Sequence, residues 1–145
     1  MVAKVLIIYY SQGGNTEAMA KAVYEGVKSA ETTVSLKKAG ETTADDILNC
    51  DTVILGTPCY FDYMAGMMKD FLDRVWYTIR DKMEGKNYAL FTSSGTGEKH
   101  ALERLDFLCN FLKLNKVADD IVAMRAPSTE TLEKCKETGK KVAQS

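Results

Sequence analysis

The chain has 145 residues, 46% hydrophobic and 27% charged, the make-up of one ordinary globular domain (1–145) with a real core. Lys and Arg number 19 against 20 Asp and Glu, so neither nucleic acid nor an anionic membrane surface is indicated as a partner. No apolar run approaches the length of a membrane span, and the N-terminus enters a strand without a signal-peptide pattern, which implies the cytoplasm.

The first element, about 4–10, is short, β-branched and aromatic and reads as a buried strand. A helix over about 15–29 follows, in which Met19, Val23 and Val27 recur at every fourth position beside Ala20. Between them stand Ser11, Gln12, Gly13, Gly14, Asn15 and Thr16. The glycines allow a tight turn and a close approach of backbone N–H groups, and the polar side chains add donors where a helix leaves its first amides unpaired. That is an anion site, and phosphate is its usual occupant. The spacing matches neither the nucleoside-triphosphate loop nor the dinucleotide fingerprint.

A short strand around 33–36 comes next, then a small helix over about 44–49. Thr42 or Thr43 caps that helix, with Asp45 and Asp46 in its first turn. Asp51–Gly56 reads as the third strand and Thr57–Tyr63 as a loop. The third helix carries Met64, Met67, Met68, Phe71, Leu72, Val75, Trp76 and Ile79 at three- and four-residue spacing. Tyr88–Thr92 is the fourth strand, and a polar, glycine-rich loop covers Ser93, Ser94, Gly95, Thr96, Gly97 and Glu98. A fourth helix shows Ala101, Leu105, Leu108 and Leu112; 121–124 is the fifth strand. The last helix starts after Pro127-Ser128, with Leu132, Cys135 and Val142 apolar.

Apolar strands alternating with helices imply an α/β fold, a parallel sheet covered on both faces. Ligands of such sheets sit beyond the carboxyl ends of the strands. The loops after the first, third and fourth strands therefore share one edge. One is a phosphate cradle, one (Pro58, Cys59, Tyr60, Phe61, Asp62, Tyr63) an aromatic wall, and one a hydrogen-bonding glycine loop. Together they suit a planar aromatic ring with a phosphate tail, and FMN fits best. Cys50, Cys59, Cys109 and Cys135 are widely spaced and His100 is the one histidine, so no metal site and no disulfide is expected. Cys50 and Cys109 read as core or near-core thiols.

Residues 7–23 resemble the flavodoxin signature position by position. Residues 56–74 (GTPCYFDYMAGMMKDFLDR) resemble instead the flavodoxin-like FMN reductases and the tryptophan-repressor-binding-protein type of NAD(P)H:quinone oxidoreductase. The TSSGTG segment (92–97) is similar to the third FMN loop of those families. The resemblance implies a flavodoxin-like three-layer fold, a five-stranded parallel sheet of order 2-1-3-4-5, and one non-covalently bound FMN. It puts the phosphate on Ser11–Thr16, the ring against Pro58, Cys59, Tyr60, Phe61 and Asp62, and its pyrimidine side on the Ser93–Gly97 loop. The chain has no room for the insertion that long-chain flavodoxins carry in their last strand.

Two functions compete. An oxidoreductase would pass reducing equivalents from NAD(P)H through FMN to a quinone, flavin or similar acceptor. A carrier would shuttle single electrons between redox partner proteins. A third class, an FMN-binding regulatory module, also fits the residues. The flavin carries the chemistry in all of them, so no catalytic side chain is expected. A net charge of −1 lacks the acidic field that steers carriers to basic partners, and the 56–74 motif favours the enzyme. The absence of a large insertion resembling that of the quinone reductases speaks against tetramers and leaves monomer or dimer.

His100 reads either as a proton donor near the flavin or as a solvated first-turn residue. Asp62 has two readings as well. It replaces the glycine whose peptide flips beside the flavin in the resembled families, or it caps the third helix at Tyr63–Met64.

Overall fold

The apolar runs form the centre of a parallel sheet in the computed structural model, which describes residues 3–145. Met1 and Val2, part of the expected 1–145 domain, lie outside the described residues. β1 (Lys4–Tyr9) runs between β2 (Thr33–Lys38) and β3 (Thr52–Tyr60), and β3 continues the sheet to β5 (Asn87–Ser94). Beyond β5 the outer strand comes in two pieces, β6 (Asn115–Lys116) beside Asn87 and Tyr88 and β7 (Ile121–Met124) beside Phe91–Ser94. β4 (Tyr63–Met64) is an antiparallel hairpin arm on the end of β3. With β6 and β7 counted as one interrupted strand, the order is the expected 2-1-3-4-5.

Successive strand residues face opposite sides, so each strand feeds two cores. Val5, Ile7, Ile54, Ala89, Phe91 and Ala123 pack under α1 (Asn15–Lys28) and α5 (Thr129–Ala143). Leu6, Ile8, Val53, Leu55 and Leu90 pack under α3 (Gly66–Ile79) and α4 (His100–Phe111). Cys109 and Cys50 belong to that second core and Cys135 to the first, as buried thiols. α1 and α5 touch backbone to backbone. A Cβ on Gly26 would lie 2.0 Å from the Lys136 carbonyl oxygen, and one on Gly139 2.3 Å from that of Val23. No helix of the described residues is long and apolar enough to cross a membrane.

α2 (Ala44–Leu48) takes Thr43 rather than Thr42 as its cap. The Asp46 amide donates to Thr43 Oγ1 and the Thr43 amide to Asp46 Oδ2, a reciprocal capping box. The Thr42 hydroxyl donates instead to the Lys38 carbonyl.

The third strand is longer than its sequence reading. Thr57–Tyr60, expected as loop, belongs to β3, and Ser93 and Ser94 belong to β5. Proline is tolerated at 58 because β1 ends opposite Gly56, so Pro58 pairs only with Ser93 and no ladder donor is lost toward β1. The loop shrinks to a two-residue turn, Phe61-Asp62, at φ 51° and 62°. Both central residues are left-handed, as a type I′ hairpin requires, without the glycine that usually supplies this. Met64 is therefore a strand residue, and Gly66 opens α3 rather than lying inside it. Asp62 does not cap α3: Ala65 holds that position, and no side chain bonds the helix end.

Candidate functional site

The cleft is built from the carboxyl ends of β1, β3, β5 and β7. After β1 the chain turns through Ser11–Gly14, and Gly14 is left-handed at φ 103°. Its amide donates to Ser11 Oγ at 3.1 Å, and the Ala18 amide closes the first helical bond on the Gly14 carbonyl. The amides of Asn15, Thr16 and Glu17 are left without an acceptor among the described residues. They stand at the positive end of a fourteen-residue helix, where an anion is favoured. The Thr16 side chain is buried, its hydroxyl 2.8 Å from that of Ser93, which fixes α1 over the end of β5.

A cavity of about 310 Å³ opens in front of these amides. Eleven of the expected site residues line it: Ser11, Gln12, Gly13, Asn15 and Thr16 from the first loop, Pro58, Cys59 and Tyr60 from β3, and Ser93, Ser94 and Gly95 from β5. Five do not. Gly14 faces a second groove behind the loop, with Tyr10 and Lys38. Phe61, Asp62, Thr96 and Gly97 lie outside the lining; Phe61 is fully exposed at the tip of its hairpin. The third loop is held by its own bonds, from Ser94 Oγ to the Glu98 carbonyl at 3.0 Å and from the Thr96 hydroxyl to the Glu98 carboxylate.

Two side chains answer questions raised by the sequence. Asp62 Oδ1 meets His100 Nδ1 at 3.0 Å, so the histidine at the start of α4 braces the β3–β4 turn rather than entering the cleft. Burial raises the Cys59 thiol above its ordinary value, against the Ala101 amide, which lowers it. Cys59 is a wall, not an activated nucleophile.

Gly13 and Gly95 test whether a bound group fits here. Neither has positive φ, and a Cβ on either would meet no heavy atom within 4 Å. Backbone conformation and packing leave glycine unexplained at both positions, whereas close approach of a ligand explains it. Neutral donors, unpaired helix amides and two bare backbone stretches facing one cleft fit a phosphate-bearing planar cofactor.

Arg125 completes the lining and was missed from the sequence. It directly follows β7, the strand whose end reaches the same edge, and that position was the available signal. Its φ is 61°, and its amide donates to the Ser94 carbonyl at 2.7 Å.

A doubly covered parallel sheet with a phosphate-type loop after its first strand defines the class: a flavodoxin-like α/β domain. The Flavodoxin domain family matches residues 6–127, and the chain belongs to it. It is 32% identical to a flavodoxin of Aquifex aeolicus (strain VF5), over 99% of this chain and 86% of that protein. It is 36% identical to NAD(P)H dehydrogenase (quinone) 3 of Rhizobium meliloti (strain 1021), over 66% of this chain and 55% of that one. The chain thus spans about half the length of that dehydrogenase. Among solved structures, oxidised Flavodoxin 2 from Bacillus cereus superimposes with a TM-score of 0.86 at 27% identity, over 98% and 99% of the two chains. As a family member this is an FMN-binding redox protein.

Proposed function

We propose that residues 1–145 form one FMN domain that passes reducing equivalents from NAD(P)H to a quinone, flavin or similar acceptor in the cytoplasm. Reversible uptake of one or two electrons is the chemistry FMN supplies. The protein's part is to bind, orient and shield. Ser11, Gln12, Gly13, Asn15 and Thr16 take the phosphate on amides and hydroxyls, with Gly14 setting the turn. Pro58, Cys59 and Tyr60 form the wall beside the ring, with Phe61 and Asp62 beyond it. Ser93, Ser94 and Gly95 form the opposite polar wall, which Thr96 and Gly97 extend.

One observation carries the choice of two-electron over one-electron traffic: the turn beside the ring wall is Phe61-Asp62, left-handed at both residues and pinned by Asp62 to His100. A peptide in such a turn reorients less readily than one at glycine. The balanced charge supports the same reading, since it offers no field for steering to a protein partner. Four buried free thiols suit a reducing compartment.

The carrier reading has its own support in the flavodoxin relative matched over 99% of this chain. Anaerobic mixing of the FMN-loaded protein with NADH and with NADPH separates the two. Rapid bleaching of the flavin band by either nucleotide is expected; inertness to both, with reduction only through a separate reductase protein, would make it a carrier. Light scattering in the same samples decides between monomer and dimer.

A further inference from the structure

We propose that Arg125 is the counter-charge of the FMN phosphate, an inference that rests on FMN occupying the cleft. Every other residue lining the cavity is uncharged: serines, glycines, a glutamine, an asparagine, a threonine, a proline, a cysteine and a tyrosine. The ligand brings a phosphate that is an anion at neutral pH. The helix amides supply partial charge, and the one full positive charge in the lining is the Arg125 guanidinium. It makes no hydrogen bond or ion pair with any other described residue, so its donors are uncommitted.

Arg125 shares its cavity with the phosphate end, Ser11, Gln12, Gly13, Asn15 and Thr16. Along β7, Ile121 and Ala123 face the α1 and α5 core, whereas Val122 packs on the opposite core and Met124 lies within 4 Å of where a Cβ on Gly97 would be. Arg125 stands just past β7, in a left-handed bend at φ 61°, and lines the cavity. On β5 the partner of Ala123 is Ser93, whose hydroxyl reaches Thr16 in the first turn of α1. Through Ser93, bonded to Thr16, and Ser94, bonded to the Arg125 amide, the end of β5 links Arg125 to the helix end that carries the unpaired amides, and both line one cavity. Its amide bond to Ser94 holds it there despite a backbone conformation that disfavours any side chain. A guanidinium offers phosphate two parallel donors, which amides alone do not.

The test compares Arg125→Gln and Arg125→Gly with wild type, titrating flavin-free full-length protein with FMN and with riboflavin. A charge-assisted pair lost at an exposed site predicts FMN binding weaker by about tenfold at low salt. Riboflavin binding should stay within twofold. The FMN difference should narrow as ionic strength rises past about 0.1 M, where screening acts within about 10 Å. Arg125→Lys should recover part of the loss. Arg125→Gly also relieves the left-handed backbone, so it should melt about 3 °C higher without flavin while binding FMN less well. A residue that merely supported the fold would not move those two readouts in opposite directions. Equal losses for FMN and riboflavin, or no loss of FMN in Arg125→Gln, would overturn the assignment. Failure of wild type itself to bind FMN would instead remove the cofactor reading on which it stands.

Discussion

The hydroxyls of Thr16 and Ser93 meet at 2.8 Å in a buried position, joining the first turn of α1 to the end of β5. Thr16 thus has a protein partner in addition to any phosphate it serves, and a hydroxyl can donate to one while accepting from the other. Thr16→Val keeps the shape but strands the Ser93 hydroxyl, at a cost of about 1–3 kcal/mol. Urea unfolding without flavin measures this. Thr16→Val with Ser93→Ala should cost less than the two single changes added together. FMN affinity should fall roughly tenfold to a hundredfold in Thr16→Val and less in Ser93→Ala, with riboflavin little changed.

The glycines divide by what surrounds them. Gly13 and Gly95 face open space, so alanine at either should leave the flavin-free protein as stable as wild type or stabler by about 0.4–1 kcal/mol. The same substitutions should weaken FMN binding, because the new methyl enters the cleft. Gly26→Ala is the contrast. Its Cβ would press on the Lys136 carbonyl, separate α1 from α5, and destabilise the fold by about 1–3 kcal/mol. Melting curves with and without FMN read both effects.

Alkaline pH should unfold the protein through groups that the fold keeps neutral. Burial pushes Tyr9 up to about 12 from 10.0, reinforced by its bond to Glu17. Burial likewise pushes Cys50 up to about 11 and Cys135 up to about 12, both from 9.0. Raised folded values mean that unfolding releases protons. The contribution is complete below the ordinary values and is lost as pH climbs toward the folded ones. Denaturation midpoints should therefore hold to about pH 9 and decline from there to about 12. Cys135→Ala should start lower, from its cavity, yet decline less steeply; parallel curves would refute the account.

The periodic elements were legible because each buries a face: Met19, Val23 and Val27 on α1, or Phe71, Leu72 and Val75 on α3, all turned inward. The phosphate loop was legible because glycine and small polar residues at a strand–helix junction have few other uses. Thr57–Tyr60 was not, since proline and polar residues read as loop until the neighbouring strand is seen to stop at Gly56. β6 is two exposed polar residues with no pattern to detect. The left-handed turn was hidden by the absence of glycine. Arg125 was hidden because its value lies in being the one charge among neutral neighbours that are distant in sequence.

Asp62→Gly joins stability to redox behaviour. At φ 62° an aspartate carries a left-handed penalty of about 1–2 kcal/mol, which glycine removes. The lost pair with His100 is exposed on both sides and offsets at most about 1 kcal/mol of that gain. The variant should therefore melt at or above the wild-type temperature. Glycine also lets the turn peptide reorient and takes a carboxylate away from the ring wall, where it opposes added negative charge. Stepwise dithionite titration of the FMN-loaded protein should show little long-wavelength absorbance of one-electron-reduced flavin in wild type and more in Asp62→Gly. Asp62→Asn separates the causes, since it removes the charge but keeps a side chain that tolerates positive φ. If Asn behaves like Gly, charge dominates; if it behaves like wild type, backbone freedom does. Substantial one-electron-reduced flavin in wild type would contradict the two-electron assignment and favour the carrier.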